Sequence, residues 1–204
     1  KGEHKGFAVG SLDFYLTPQL GERTKALFEL VTEVDSDGET EVELERAQLG
    51  YVFGDAATAW IGRFHTPYGY YNTAFHHGQQ IATSLRRPRF LEFEDRSGIF
   101  PAHTVGLWLT GNVRAGEGRF TYDAWTGNSP RISDGSLNPN AAGSTNHNLA
   151  TGANLGYRFG GALDGLKLGV HALRARVDDS QAVKNTTALN MFGGYARSEE
   201  HTSE

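Results

Sequence analysis

Apolar and polar positions alternate with a period of two along most of this chain. In Leu149–Phe159, residues Leu149, Thr151, Ala153, Leu155, Tyr157 and Phe159 fall on one face, and Ala150, Gly152, Asn154, Gly156 and Arg158 on the other. Successive side chains of a strand point to opposite sides, so this segment reads as a strand with one apolar face and one small-or-polar face. The same reading covers Gly6–Leu16, Thr24–Asp35, Leu44–Phe53, Thr58–Thr66, Thr104–Gly111, Arg119–Gly127, Leu166–Val177 and Leu189–Ala196, about nine strands in all. In the 120s the apolar face is Phe120, Tyr122 and Ala124 against Thr121, Asp123 and Trp125. In the 160s it is Leu166, Leu168, Val170 and Ala172 against Lys167, Gly169 and His171.

The connections add topology. PQLGER, GDA, NVRAGEG and GGALDG are short and marked by glycine. Between them lie DSDGE, the long Pro67–His103 segment, Asn128–His147 and DDSQAVKN. Short and longer links in alternation are the layout of an up-and-down meander in an outer membrane, with short periplasmic turns and longer outer loops. A soluble antiparallel sandwich also has one apolar face per strand. Long strands and aromatics near strand ends (Tyr15, Phe53, Phe64, Trp108, Trp125, Tyr157, Phe159 and Tyr195) favour the barrel. The expected fold class is therefore all-β, an antiparallel up-and-down meander.

Composition narrows the function classes. The 204 residues include no cysteine, which excludes disulfides and thiolate metal sites, and the net charge of −5 lacks the basic footprint of a nucleic-acid binder. No run of 18 apolar residues is present, so a transmembrane helix is not expected, whereas a barrel strand needs only about 9–11 residues. No GxSxG, SxxK or HExxH pattern occurs, and no glycine-rich loop joins a strand to a helix. An enzyme and a bound cofactor are therefore not expected.

Three stretches carry a family resemblance. ERAQLGYVFGDAATAWIGRFHTPYG, FLEFEDRSGIFPAHTVGLWLTG and FTYDAWTGNSPRI resemble the phosphate-selective porin-like family of Gram-negative outer-membrane β-barrels. Membership would imply a barrel of about 16–18 strands, commonly a homotrimer, set in outer-membrane lipid. The chain would then be a partial transmembrane barrel with two open edges. The C-terminal RSEEHTSE resembles the translation of a sequencing-adapter oligonucleotide. The domain reading is accordingly residues 1–196 as partial barrel and 197–204 as a non-native tail.

The resemblance implies a channel for passive diffusion of small hydrophilic solutes, anions among them. A long porin loop can fold inward and set the constriction, which makes Arg86, Arg87, Arg89, Glu92, Glu94, Asp95 and Arg96 the candidate constriction residues. The same charges could instead pin the loop to the wall. Wall candidates are Arg46, Arg63, His65, Asp123 and Arg158. With Lys25, Arg119 and Lys167, and with Asp13, Glu29 and Glu33, they give the lumen face mixed signs. Tyr68, Tyr70 and Tyr71 could stack on sugar rings. Of His65, His76, His77 and His103, the adjacent pair points apart in either regular structure, so hydrogen-bonded loop histidines are expected rather than a metal centre. Two other classes remain: a soluble β-sandwich that binds carbohydrate through the tyrosines, and an outer-membrane barrel hydrolase.

Overall fold

The structure, a computed structural model, describes residues 11–34, 38–74, 101–133, 136–138, 148–179 and 186–198. These form one open, 11-stranded sheet. Its strands are β1 (Ser11–Leu16), β2 (Thr24–Val34), β3 (Thr40–Gly54), β4 (Ala57–His65), β5 (His103–Ala115), β6 (Gly118–Asn128), β7 (Arg131–Ser133), β8 (Ser136–Asn138), β9 (Leu149–Arg158), β10 (Leu166–Asp179) and β11 (Thr186–Ser198). A four-residue helix, α1 (Tyr71–Ala74), and a 3₁₀ turn at Gly161–Leu163 are the helical elements described. No described helix is long and apolar enough to cross a membrane.

The all-β meander expected from alternation is what forms. All nine expected strands are present, each paired antiparallel with its neighbour in the order β1-β2-β3-β4-β5-β6-β9-β10, with β11 on β10. The additional strands, β7 and β8, are three residues each and lie in the connection expected after Asn128. β7 runs parallel to the far end of β10, where Asp178 faces Arg131. Several strands run further than expected, among them β11, which begins at Thr186 rather than Leu189. β3 begins at Thr40 and β5 continues to Ala115, because alternation persists through Glu41–Glu43 and through Asn112–Arg114. The first residues of the expected Gly6–Leu16 strand lie outside the described residues.

The two faces of the sheet differ in an unusual way. On one face stand exposed large apolar side chains: Leu30 and Leu44 opposite each other, Leu49 opposite Ile61, Ile61 opposite Leu107, and Leu155, Leu168 and Val170 further along. On the other face lie buried Glu29, Gln48 and Asn154 with the glycines Gly50, Gly152 and Gly156. The core therefore sits on the polar face. It comprises Phe64, Tyr68, Trp125, Ala150, Leu173 and Ala175, with Trp108 and Met191 packed against it.

This arrangement corrects part of the aromatic reading. Phe64 and Trp125 are buried in that cluster, Trp108 stacks on Trp60, and Tyr195 lies flat against His171. None of these forms an interfacial girdle. Aromatics near the short turns do line one edge of the apolar face: Tyr51 meets Phe53 edge-on at 5.0 Å, and Tyr157 meets Phe159 at 4.9 Å.

Candidate functional site

The start of the long connection crosses the polar face. β4 takes a backbone conformation that favours glycine at Gly62, where φ is 129°, while its pairing with β3 and β5 continues; an added Cβ there would collide with the Ala47 carbonyl. Beyond His65 the chain turns inward, and Thr66 through Gly69 are buried. Tyr68 packs edge-on against His171 of β10, with ring centroids 4.4 Å apart. Asn154 of β9 donates to the Gly69 carbonyl at 3.2 Å, and Tyr70 lies 6.0 Å from the ring of Tyr195 on β11. A segment leaving β4 thus reaches strands far from it in the sheet. Burial raises the Tyr68 phenol above its ordinary value.

The neck of the connection is closed by hydrogen bonds. The Thr66 amide donates to the Ala102 carbonyl at 2.8 Å. The side-chain amide of Asn72 donates to the carbonyls of Thr66 at 2.6 Å and Ala102 at 3.2 Å. The hydroxyls of Thr66 and Thr104 share a hydrogen bond at 2.7 Å. Asn72 is 1 % exposed, so α1 is tied to both ends of the link through a fully enclosed amide.

Beside this neck lies a buried polar cluster. β2 and β3 shift register between Glu29 and Leu30, and the shift leaves Glu45 as an extra residue beside Arg46. Arg46 Nε donates to Glu29 Oε2, and Glu45 Oε2 contacts His103 Nε2. His65 Nε2 lies 3.8 Å from Glu29 Oε2 and 4.0 Å from Glu45 Oε2. Arg63 donates to the Glu45 backbone carbonyl at 3.1 Å. No family model matches this chain, and no curated protein does.

A second feature lies at the opposite end of the strands, next to the short turns. Arg114 faces Arg119, Arg119 faces Arg158, and Arg158 faces Lys167. Four cations therefore occupy consecutive opposite positions on β5, β6, β9 and β10. Alternation puts them on the polar face, where Arg119 donates to Asn112 at 2.9 Å and Lys167 lies over Gly156. Arg197 of β11 stands opposite Lys167 and continues the row.

The expected site residues divide between these places. Arg46, Arg63 and His65 meet in the buried cluster. Asp123 accepts a hydrogen bond from Trp108 at 3.1 Å in the middle of the polar face, and Arg158 belongs to the basic row. Tyr68 is enclosed, whereas Tyr70 and Tyr71 are half-buried. Arg86, Arg87, Arg89, Glu92, Glu94, Asp95, Arg96, His76 and His77 lie outside the described residues. Sequence reasoning did not single out Glu45, Asn72 or Arg114. The alternation of Asn112, Arg114 and the residues after the turn carried a signal for the last of these. The bulge that exposes Glu45 to the histidines carried none.

Proposed function

We propose that this chain forms part of the wall of a porin-type outer-membrane β-barrel that passes small hydrophilic solutes by diffusion, anions ahead of cations. The inverted burial of the sheet carries this reading. Large apolar side chains cover the exposed face, while Glu29 and Glu45 are 0 % and 1 % exposed on the other. Keeping a Leu, Ile or Phe in water forgoes about 1.5–3 kcal/mol each. In lipid that loss disappears, and the polar face then lines an aqueous lumen. A soluble sandwich would cover the apolar face with a second sheet, but among the described residues every strand joins one sheet.

Two further observations support the details. The Thr66–Ala74 segment lies across the polar face, as a loop entering a lumen would. The basic row supports the preference for anions. Three successive like pairs stand opposite one another along the strands, an arrangement that gathers positive charge at one level of the polar face. A row of cations along a pore wall concentrates anions and repels cations.

The test is reconstitution. The protein should require detergent, migrate anomalously on gels until boiled, and give ohmic steps in planar bilayers with anions more permeant than cations. A protein that stays monomeric in plain buffer and gives no conductance would overturn the proposal.

A further inference from the structure

Among the described residues, one group of histidines and carboxylates converges. It consists of Glu45, His65 and His103, all buried, with one ligand atom from each lying within 4.8 Å of the others. Strand register explains the meeting. His65, the last residue of β4, stands directly opposite His103, the first of β5, with ring centroids 5.2 Å apart. Both rings turn Nε2 toward Glu45 Oε2. The bulge in β3 brings that carboxylate to them. Glu29, held by Arg46, presents Oε2 to His65 from a fourth direction.

We propose that Glu45, His65 and His103 form a binding site for a divalent transition-metal ion of the zinc type, with Glu29 closing its fourth side. Imidazole nitrogen and carboxylate oxygen are the donors such ions take, at about 2.0–2.2 Å from the metal. Tetrahedral ligands at those lengths stand about 3.3–3.5 Å apart. The 3.8 and 4.0 Å separations around His65 Nε2 approach that spacing, while His103 Nε2 and Glu45 Oε2, in direct contact, would part by a side-chain rotation to admit the ion. The backbone already supplies the frame, since all four residues sit on paired strands. Arg46 on Glu29 is the kind of outer contact that orients a ligating carboxylate.

The position gives the ion a task. His65 and His103 are the residues immediately outside the two ends of the long connection. An ion bound by both would reinforce the hydrogen-bonded neck of that connection and fasten its base to β3. Closing a long loop is where such a tie has most to contribute. The site does not depend on the sheet being a channel, and its test does not read conductance.

The probe is Zn²⁺ added to the full chain, folded in detergent micelles and freed of metal with a chelator. Calorimetry should show one ion per chain, with Kd below about 10 μM. The variants His65→Gln, His103→Gln and Glu45→Gln should each weaken binding at least about tenfold. Zinc should slow protease cleavage within the connection in the unaltered chain but not in the His65→Gln/His103→Gln pair. The His76→Gln/His77→Gln pair should bind as the unaltered chain does. No saturable binding, binding retained after loss of both His65 and His103, or binding lost with His76 and His77 would each overturn the proposal. Where a variant fails to fold, Co²⁺ in the His76→Gln/His77→Gln background decides. A tetrahedral nitrogen-ligated spectrum supports the site, and the spectrum of the hydrated ion refutes it.

Discussion

Gly50 stands directly opposite Trp60, and an added Cβ on Gly50 would sit 2.5 Å from the indole. The absence of a side chain on β3 is what lets Trp60 lie flat and stack on Trp108 at 6.1 Å. Phe64 leans on the same indole of Trp108 and connects the stack to the core. Gly50→Val should therefore displace Trp60 and cost about 1–3 kcal/mol, the usual range for overpacking. Tryptophan fluorescence during urea unfolding would read both effects, and an unchanged midpoint would show that the stack has room to move.

The exposed apolar face gives a second expectation. Ile61 is 58 % exposed and lies between Leu49 and Leu107. In a bilayer, Ile61→Arg should reduce folding stability by up to about 2–4 kcal/mol, depending on its depth. In water the same change would be close to neutral. Comparing yields of folded protein in lipid vesicles for Ile61→Arg and the unaltered chain separates the two surroundings.

The basic row makes a third prediction. Reversing Arg114, Arg119 and Arg158 together to Glu should lower the anion-to-cation permeability ratio of the reconstituted protein severalfold, most strongly at low salt. The same reversal at Arg86, Arg87 and Arg89 tests the long connection independently. If only the second set changes selectivity, the wall row plays no part in filtering.

Asn72 supplies the fourth. Asn72→Ala would remove the side-chain donor that the carbonyls of Thr66 and Ala102 share, while each keeps a backbone donor, from the Tyr68 and Thr66 amides, so the cost is about 0.5–1.5 kcal/mol per lost bond. The loss should fall on the neck rather than on the sheet. Hydrogen exchange of the Thr66 amide should quicken while amides in the middle of β5 and β6 keep their protection.

The sequence made the sheet legible because period-two alternation survives translation into strands residue by residue. Leu149–Phe159 shows this well: its apolar face is the one the structure exposes, and Ala150 on the other is fully buried. The three-residue strands β7 and β8 are too short for a period to show. The inward course of Thr66–Ala74 was also unreadable, since a loop's path depends on partners such as His171 and Tyr195 that are remote in sequence. His65 and His103 looked like members of a scattered histidine group until the register placed them opposite each other. Glu29 was noted as a lumen charge, but its neighbour Glu45 was hidden by a bulge that breaks the alternation on which the reading depended.

The outward rows of Leu, Ile, Val and Phe mean that, in the proposed setting, the chain carries only one of its two hydrophobic interiors. The second is lent by the surrounding amphiphile. Folding then resembles the binding of a ligand present in great excess, and its equilibrium shifts with the amount and length of that amphiphile. Such a protein has no single folding free energy of its own. It has one for each medium that agrees to complete it.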